Sequence, residues 1–305
     1  MTAPAGRVLS QETLRGLRAR SNVRGGVRLA LHAGCLVAAG WWVAVASGWM
    51  VWPAVLVLGL VQVALFAPAH ETMHQTAFAS RWANAAVQWV TSAPSLLNDR
   101  FYTAFHAAHH RHTQVSGLDP ELMTPPPATL SAYLARILGW TFWRLRLLVV
   151  WDCWRGDLSR YPFVTPAAAP GILFSVRAMS IVMLGGAIVS ALLFGWRTPL
   201  LFWVLPQVFG QMPLRAYLLA EHTGCTHDRD GLTNTRTTLT WWPVRLLMWN
   251  MPYHAEHHMY PSIPFHRLPE AHRELRARLG VVQRGYVRWN LGFVTSLTRI
   301  GHITY

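Results

Sequence analysis

From residue 29 to residue 69 the chain carries no Asp, Glu, Lys or Arg, an uncharged run of 41 positions. One helix of that length, at about 1.5 Å per residue, would reach roughly 60 Å, twice the hydrocarbon thickness of a bilayer. The run therefore predicts two antiparallel membrane helices with their turn at "SGWMVWP", residues 47–53, where Trp49 and Trp52 meet the water boundary. Residues 179–214 repeat the pattern with a single charge, Arg197 in "GWRTP", and predict a second hairpin. The expected class is an all-α, multi-pass membrane protein with four spans, at about 29–47, 51–70, 174–196 and 199–220.

Charge then sets orientation. Charged residues are 13% of the chain, about half the usual share of a soluble domain, and the net charge is +14. With 52% hydrophobic residues the basic excess fits an anionic leaflet, and no nucleic-acid partner is expected. Arg7, Arg15, Arg18, Arg20, Arg24 and Arg28 crowd the first 28 residues, whereas the two outer turns hold only Arg197. The positive-inside rule places both termini and the middle of the chain in the cytoplasm, in the inner membrane of a cell. The polar, arginine-rich start lacks the features of a cleaved signal peptide. Cys35, Cys153 and Cys225 have no C-x-x-C spacing, which argues against a disulfide framework or a thiolate zinc site.

Residues 71–170 and 221–305 form the expected cytoplasmic cap of a single domain. "LSAYLARILGWTFWRLRLLVVWDCW" (residues 130–154) mixes tryptophan and arginine into an apolar run, as an interfacial helix does. "WANAAVQWVTSAPSLL" (residues 82–97) is uncharged, short and interrupted by Pro94, and reads as interfacial or re-entrant.

Nine of the 15 histidines fall into four tight groups: His70 and His74 in "HETMH", His106, His109 and His110 in "HAAHH", His222 in "EHTGC", and His254, His257 and His258 in "HAEHH". On a helix, residues three or four apart share a face. Neutral imidazole is the commonest metal ligand near neutral pH. A lone H-x-x-x-H arises often by chance, and His222 alone carries no argument. Two H-x-x-H-H triads together with a placed H-x-x-x-H point to metal. All four groups belong to the cytoplasmic ends of the spans or to the cap, so they can converge on one site. His32, His112, His227, His266, His272 and His302 are read as structural or surface residues.

Nine imidazoles exceed the four ligands of a tetrahedral zinc and suit two ions of four or five ligands each. Nitrogen ligation alone leaves iron, zinc and copper open. Asp119, Glu221, Glu256 and Asn250 are expected behind the rings, fixing their tautomers, and Glu71 is weighed for the same role against simple helix capping.

The order H-x-x-x-H, H-x-x-H-H, E-H, H-x-x-H-H between two membrane hairpins resembles the membrane-bound fatty acid desaturase and hydroxylase superfamily. "FHAAHHRHTQVSGLDPE" (residues 105–121) and "NMPYHAEHHMYPSIPFHRLPEAH" (residues 250–272) read as its signatures. "AEHTGC" and "NTRTT" are similar to its small bacterial branch, that of the rhizobitoxine-type desaturase and hydrocarbon oxygenases. The resemblance implies a non-haem di-iron centre held by His70, His74, His106, His109, His110, His222, His254, His257 and His258. It implies O₂ as co-substrate and desaturation of an aliphatic chain in a lipid or fatty acyl-type substrate, with hydroxylation, monooxygenation or ketone formation as the alternative.

No electron-transfer module is visible, so a separate donor of ferredoxin or rubredoxin type is expected. Arg267, Arg273, Arg276, Arg278, Arg284 and Arg288 offer it a basic face, unless they meet lipid headgroups instead. A histidine-rich metal transporter would place its site at mid-membrane with carboxylates. A haem protein would not need two H-x-x-H-H triads.

Overall fold

The protein is described from a computed structural model over residues 8–300; Arg7 and His302 lie outside the described residues. Serine side chains start the first two helices: Ser10 caps α1 (Gln11–Leu17) and Ser21 caps α2 (Asn22–Val45), each accepting a backbone N–H in the first turn. Gly48, at φ +57°, turns the chain into α3 (Val51–Val63), which runs on through a slight irregularity into α4 (Phe66–Met73). The cap follows with α5 (Arg81–Ser92), α6 (Asp99–His112), α7 (Leu130–Ile137) and α8 (Trp140–Arg155). The second hairpin consists of α9 (Ala169–Phe194), then α10 (Arg197–Pro199), a π turn over Leu200–Val204 and α11 (Leu205–His222). The chain ends with β1 (Thr237–Leu239), α12 (Trp242–Leu247), α13 (His254–Met259), α14 (Leu268–Leu275), β2 (Val282–Arg284) and α15 (Tyr286–Ile300).

Among the described residues three helices are long and apolar enough to cross a membrane: Asn22–Val45, Gly48–Met73 and Ala169–Phe194. The fourth expected span is a helical run over residues 197–222 with Gln207, Gln211 and Arg215 along it. α3 packs between α2 and α11. A Cβ on Gly59 would lie 2.5 Å from the carbonyl oxygen of Pro206, and one on Gly210 would lie 2.4 Å from that of Gly59. Small residues let the two backbones touch, as they do where helices pack in lipid.

The described residues are mostly helical, and among them the departure from all-α is a two-stranded parallel pair, with Thr237 opposite Val282. Within residues 82–97, read as interfacial or re-entrant, the helix α5 has 12 residues, fewer than a bilayer crossing needs. The N-terminal segment docks on the cap, where Leu9, Leu14 and Leu17 pack against Tyr253, Tyr260, Ile263 and Leu268. The Tyr260 hydroxyl accepts the N–H groups of Val8 and Leu9.

Candidate metal centre

Four elements carry the nine histidines to one place. α4 ends at His74, four residues after His70, so both rings leave one face of its last turn. α6 begins where the Asn98 side chain accepts the N–H groups of Arg100 and Phe101, and its last two turns present His106, His109 and His110. His222 closes α11. α13 is reached through two consecutive left-handed residues, Trp249 (φ +47°) and Asn250 (φ +60°). That backbone is costly for a bulky residue. The Trp249 side chain is fully buried against Phe265, which holds the turn in place.

The rings sort into two adjoining clusters. His70, His74, His106, His110 and His257 each offer a ring nitrogen, all within 4.8 Å of one another; His109, His222 and His258 do the same. His254 completes the second cluster, with Nε2 3.1 Å from Nε2 of His222. The clusters meet where the His110 and His258 rings stack at 4.1 Å.

Whether these rings suit metal is tested by their nitrogens. Nε2 of His110 lies 3.0 Å from Nε2 of His106 and 3.2 Å from Nε2 of His257. Both nitrogens of His70, Nε2 of His74, His109 and His258, and Nδ1 of His106 and His254 are buried without a hydrogen-bond partner. Buried polar atoms are rarely left so, and this many unpartnered ring nitrogens gathered in one place suit a cation. Imidazoles sharing a zinc ion at 2.0–2.1 Å sit no more than about 4 Å apart, a spacing the clusters approach. Burial, then the neighbouring rings, pushes His106, His110, His254, His257 and His258 well below the ordinary imidazole range, so they are neutral at pH 7.

Partners behind the rings fix some tautomers. His109 Nδ1 donates to Asp119 at 2.9 Å, leaving Nε2 free, and Gln114 and Glu121 N–H groups hold the two Asp119 oxygens. Burial works against the charge of Asp119, but the His109 ring and these N–H donors outweigh it and hold the carboxyl below its usual range. His222 Nδ1 lies 3.2 Å from the Asn234 carbonyl, and a Glu221 oxygen is 3.5 Å from His254 Nε2. Glu256 and Asn250 sit elsewhere: Glu256 pairs with His272 and Thr237, and Asn250 donates to the Phe265 carbonyl. Glu71 accepts the Phe265 N–H and so ties α4 to the loop after α13. Of the histidines read as structural, buried His32 bonds the Val61 carbonyl, His227 is exposed, and His272 is the partner of Glu256 rather than a free surface group.

A cavity of about 250 Å³ opens against His70, His106 and His254. Its wall is aromatic, with Phe66, Phe101, Tyr102, Phe105 and Phe142 along it. Tyr102 stacks on His106 with ring centres 5.2 Å apart. Glu121, Arg136, Arg146 and Arg215 also border it, and sequence reasoning passed over all four. Arg215 carried a usable signal: it is a charge inside a candidate span, a position that is seldom idle.

The fatty acid desaturase profile matches residues 47–290. A sphingolipid delta(4)-desaturase of Arabidopsis thaliana is 27% identical over 206 residues, 67% of this chain and 57% of that protein. A sphingolipid delta(4)-desaturase/C4-monooxygenase of Homo sapiens is 26% identical over 232 residues, 72% and 64% of the two chains, and a sphingolipid delta(4)-desaturase of Drosophila melanogaster is 24% identical over 231 residues, 74% and 66%. The chain thus spans less than two thirds of the length of these curated relatives. Matched over most of its length, with α3, the second hairpin and all four histidine groups inside the matched region, the chain belongs to the fatty acid desaturase family.

Proposed function

We propose that the protein is a membrane-bound oxidoreductase that uses O₂ and a non-haem di-iron centre to desaturate an aliphatic chain of lipid or acyl type. The observation that carries this reading is the pair of adjoining imidazole clusters, five rings and four, opening on an aromatic-walled cavity. His70, His74, His106, His110 and His257 would hold one ion and His109, His222, His254 and His258 the other. Two such ions, reduced and supplied with O₂, furnish an oxidant able to take hydrogen from an unactivated C–H bond.

The protein's own part is positioning and exclusion. Asp119 and the Asn234 carbonyl keep the His109 and His222 rings turned inward. The Phe66, Tyr102 and Phe105 wall keeps an apolar chain beside the clusters and water away from it. Hydroxylation of the same carbon is the second reading, supported by the human relative, whose description names both desaturase and C4-monooxygenase activity. Four spans with both termini in the cytoplasm would set the clusters at the inner leaflet of the inner membrane. A separate ferredoxin or rubredoxin would deliver electrons there, attracted by arginines of the α14 to α15 region. Clusters at helix ends, rather than at mid-membrane, favour this reading over metal transport.

Elemental analysis tests it directly. Purified protein should carry two iron atoms per chain and convert substrate only with reductant and O₂, followed by product mass spectrometry. His257→Ala should lose iron and turnover, and His227→Ala, at an exposed loop, should keep both. Full iron content and activity in His257→Ala would overturn the ligand assignment.

A further inference from the structure

Arg146 of α8 and Arg215 of α11 border the cavity, and no carboxylate among the described residues lies within ion-pair distance of either. The Nε atom of each is buried without a hydrogen-bond partner. Both guanidinium groups lie over one ring, Phe142, at 5.6 and 4.4 Å from its centre. A ring face attracts a cation less than burial penalises it, so the pair is left under-compensated. Burial pushes Arg146 down to about 10, which still leaves it charged at pH 7. Arg136 of α7 joins them at the cavity wall, tethered by the Thr124 and Pro125 carbonyls. Glu121 and Glu221 also border the cavity and stand near enough to Arg215 to offset part of its charge, but each is closer to a histidine than to ion-pair contact with an arginine, Glu121 3.8 Å from His109 and Glu221 3.5 Å from His254.

α6 serves as a ruler between the two ends. Arg146 lies 5.9 Å from the centre of the Phe101 ring, and Phe101 precedes His106 by five residues, about 7.5 Å of helix rise. A molecule can therefore meet the arginines and the histidine clusters at once through a single aromatic passage. The cavity, about 250 Å³ and open on one side, has room for an aliphatic chain between its aromatic walls.

We propose that Arg146 and Arg215, with Arg136, bind the head group of the substrate, which is an apolar chain ending in one anionic group, a carboxylate or a phosphate. This rests on the reading of the cavity as the substrate site, and it narrows that reading to a substrate class. The planar forks of the two arginines supply the paired donors that such oxyanions accept.

Binding, measured apart from turnover, is the test. Iron-loaded protein in phosphatidylcholine nanodiscs is titrated calorimetrically with decanoate, decyl phosphate and decanol, with empty nanodiscs subtracted. At least one of the two anions should bind tenfold or more tightly than decanol, and the preferred one identifies the head group. Arg146→Gln and Arg215→Gln should each remove that preference and leave decanol binding unchanged, and Arg146→Lys should restore part of it. His257→Ala, which tests the metal reading separately, should keep the preference for the anion. Equal binding of all three ligands to the unaltered protein would overturn the inference without recourse to any variant. So would a preference untouched in Arg146→Gln and lost in His257→Ala, since that would place the anion on the metal.

Discussion

Asp119 accepts the Nδ1 proton of His109 at 2.9 Å, and two backbone N–H groups hold its oxygens in place. The Nε2 lone pair of His109 is thereby turned toward His222 and His258, whose rings lie 4.8 and 4.9 Å away. Partners of this kind typically change metal affinity or activity 10- to 100-fold when removed. Asp119→Asn keeps the shape but loses the charge and permits the wrong tautomer. It should lower iron occupancy or turnover by that factor with little change in Tm, measured by elemental analysis and thermal unfolding. An unchanged iron content and rate would show that His109 needs no such orientation. The position of Asp119, ten residues after His109, suggested a partner from the sequence alone. Glu256 sits between two histidines of the last group yet faces His272, because residues one or two apart leave a helix on different faces.

At the scale of elements, the contact between α3 and α11 decides whether His222 reaches the other groups. Gly59 and Gly210 meet backbone to backbone there, and a methyl on Gly210 would stand 2.4 Å from a carbonyl oxygen. Overpacking of this kind costs about 1–3 kcal/mol. Gly210→Ala should lower the Tm in detergent and the iron content together, while Gly186→Ala, open on α9, should change neither. A Gly210→Ala protein as stable as the parent would mean that the two helices have room to separate. The hairpins were legible because an uncharged run longer than one bilayer crossing has to fold back. The close approach was not, since Gly59 and Gly210 are 151 positions apart and nothing local marks them as a pair.

For the whole molecule, the docking of α1 on the segment around Tyr253, Tyr260 and Leu268 ties the N-terminal region to the same end as the histidine clusters. Single cysteines at Glu12 and Glu274, in a background with Cys35, Cys153 and Cys225 changed to Ser, should react with an impermeant maleimide from the same side of the membrane. A cysteine at Arg197 should react only from the other. Labelling of Arg197→Cys and Glu274→Cys from one side would show that residues 197–222 do not cross. The sequence by itself determined the apolar helices, their turns and the candidate ligand histidines, because hydropathy and short-range spacing are local properties that water and the bilayer read directly. Tertiary structure alone decided that the nine rings divide into five and four, that Asp119 and not Glu256 lies behind them, and that three arginines from three helices border one cavity. Those relations join residues far apart in the chain, and they arise only when packing brings separate helix faces together.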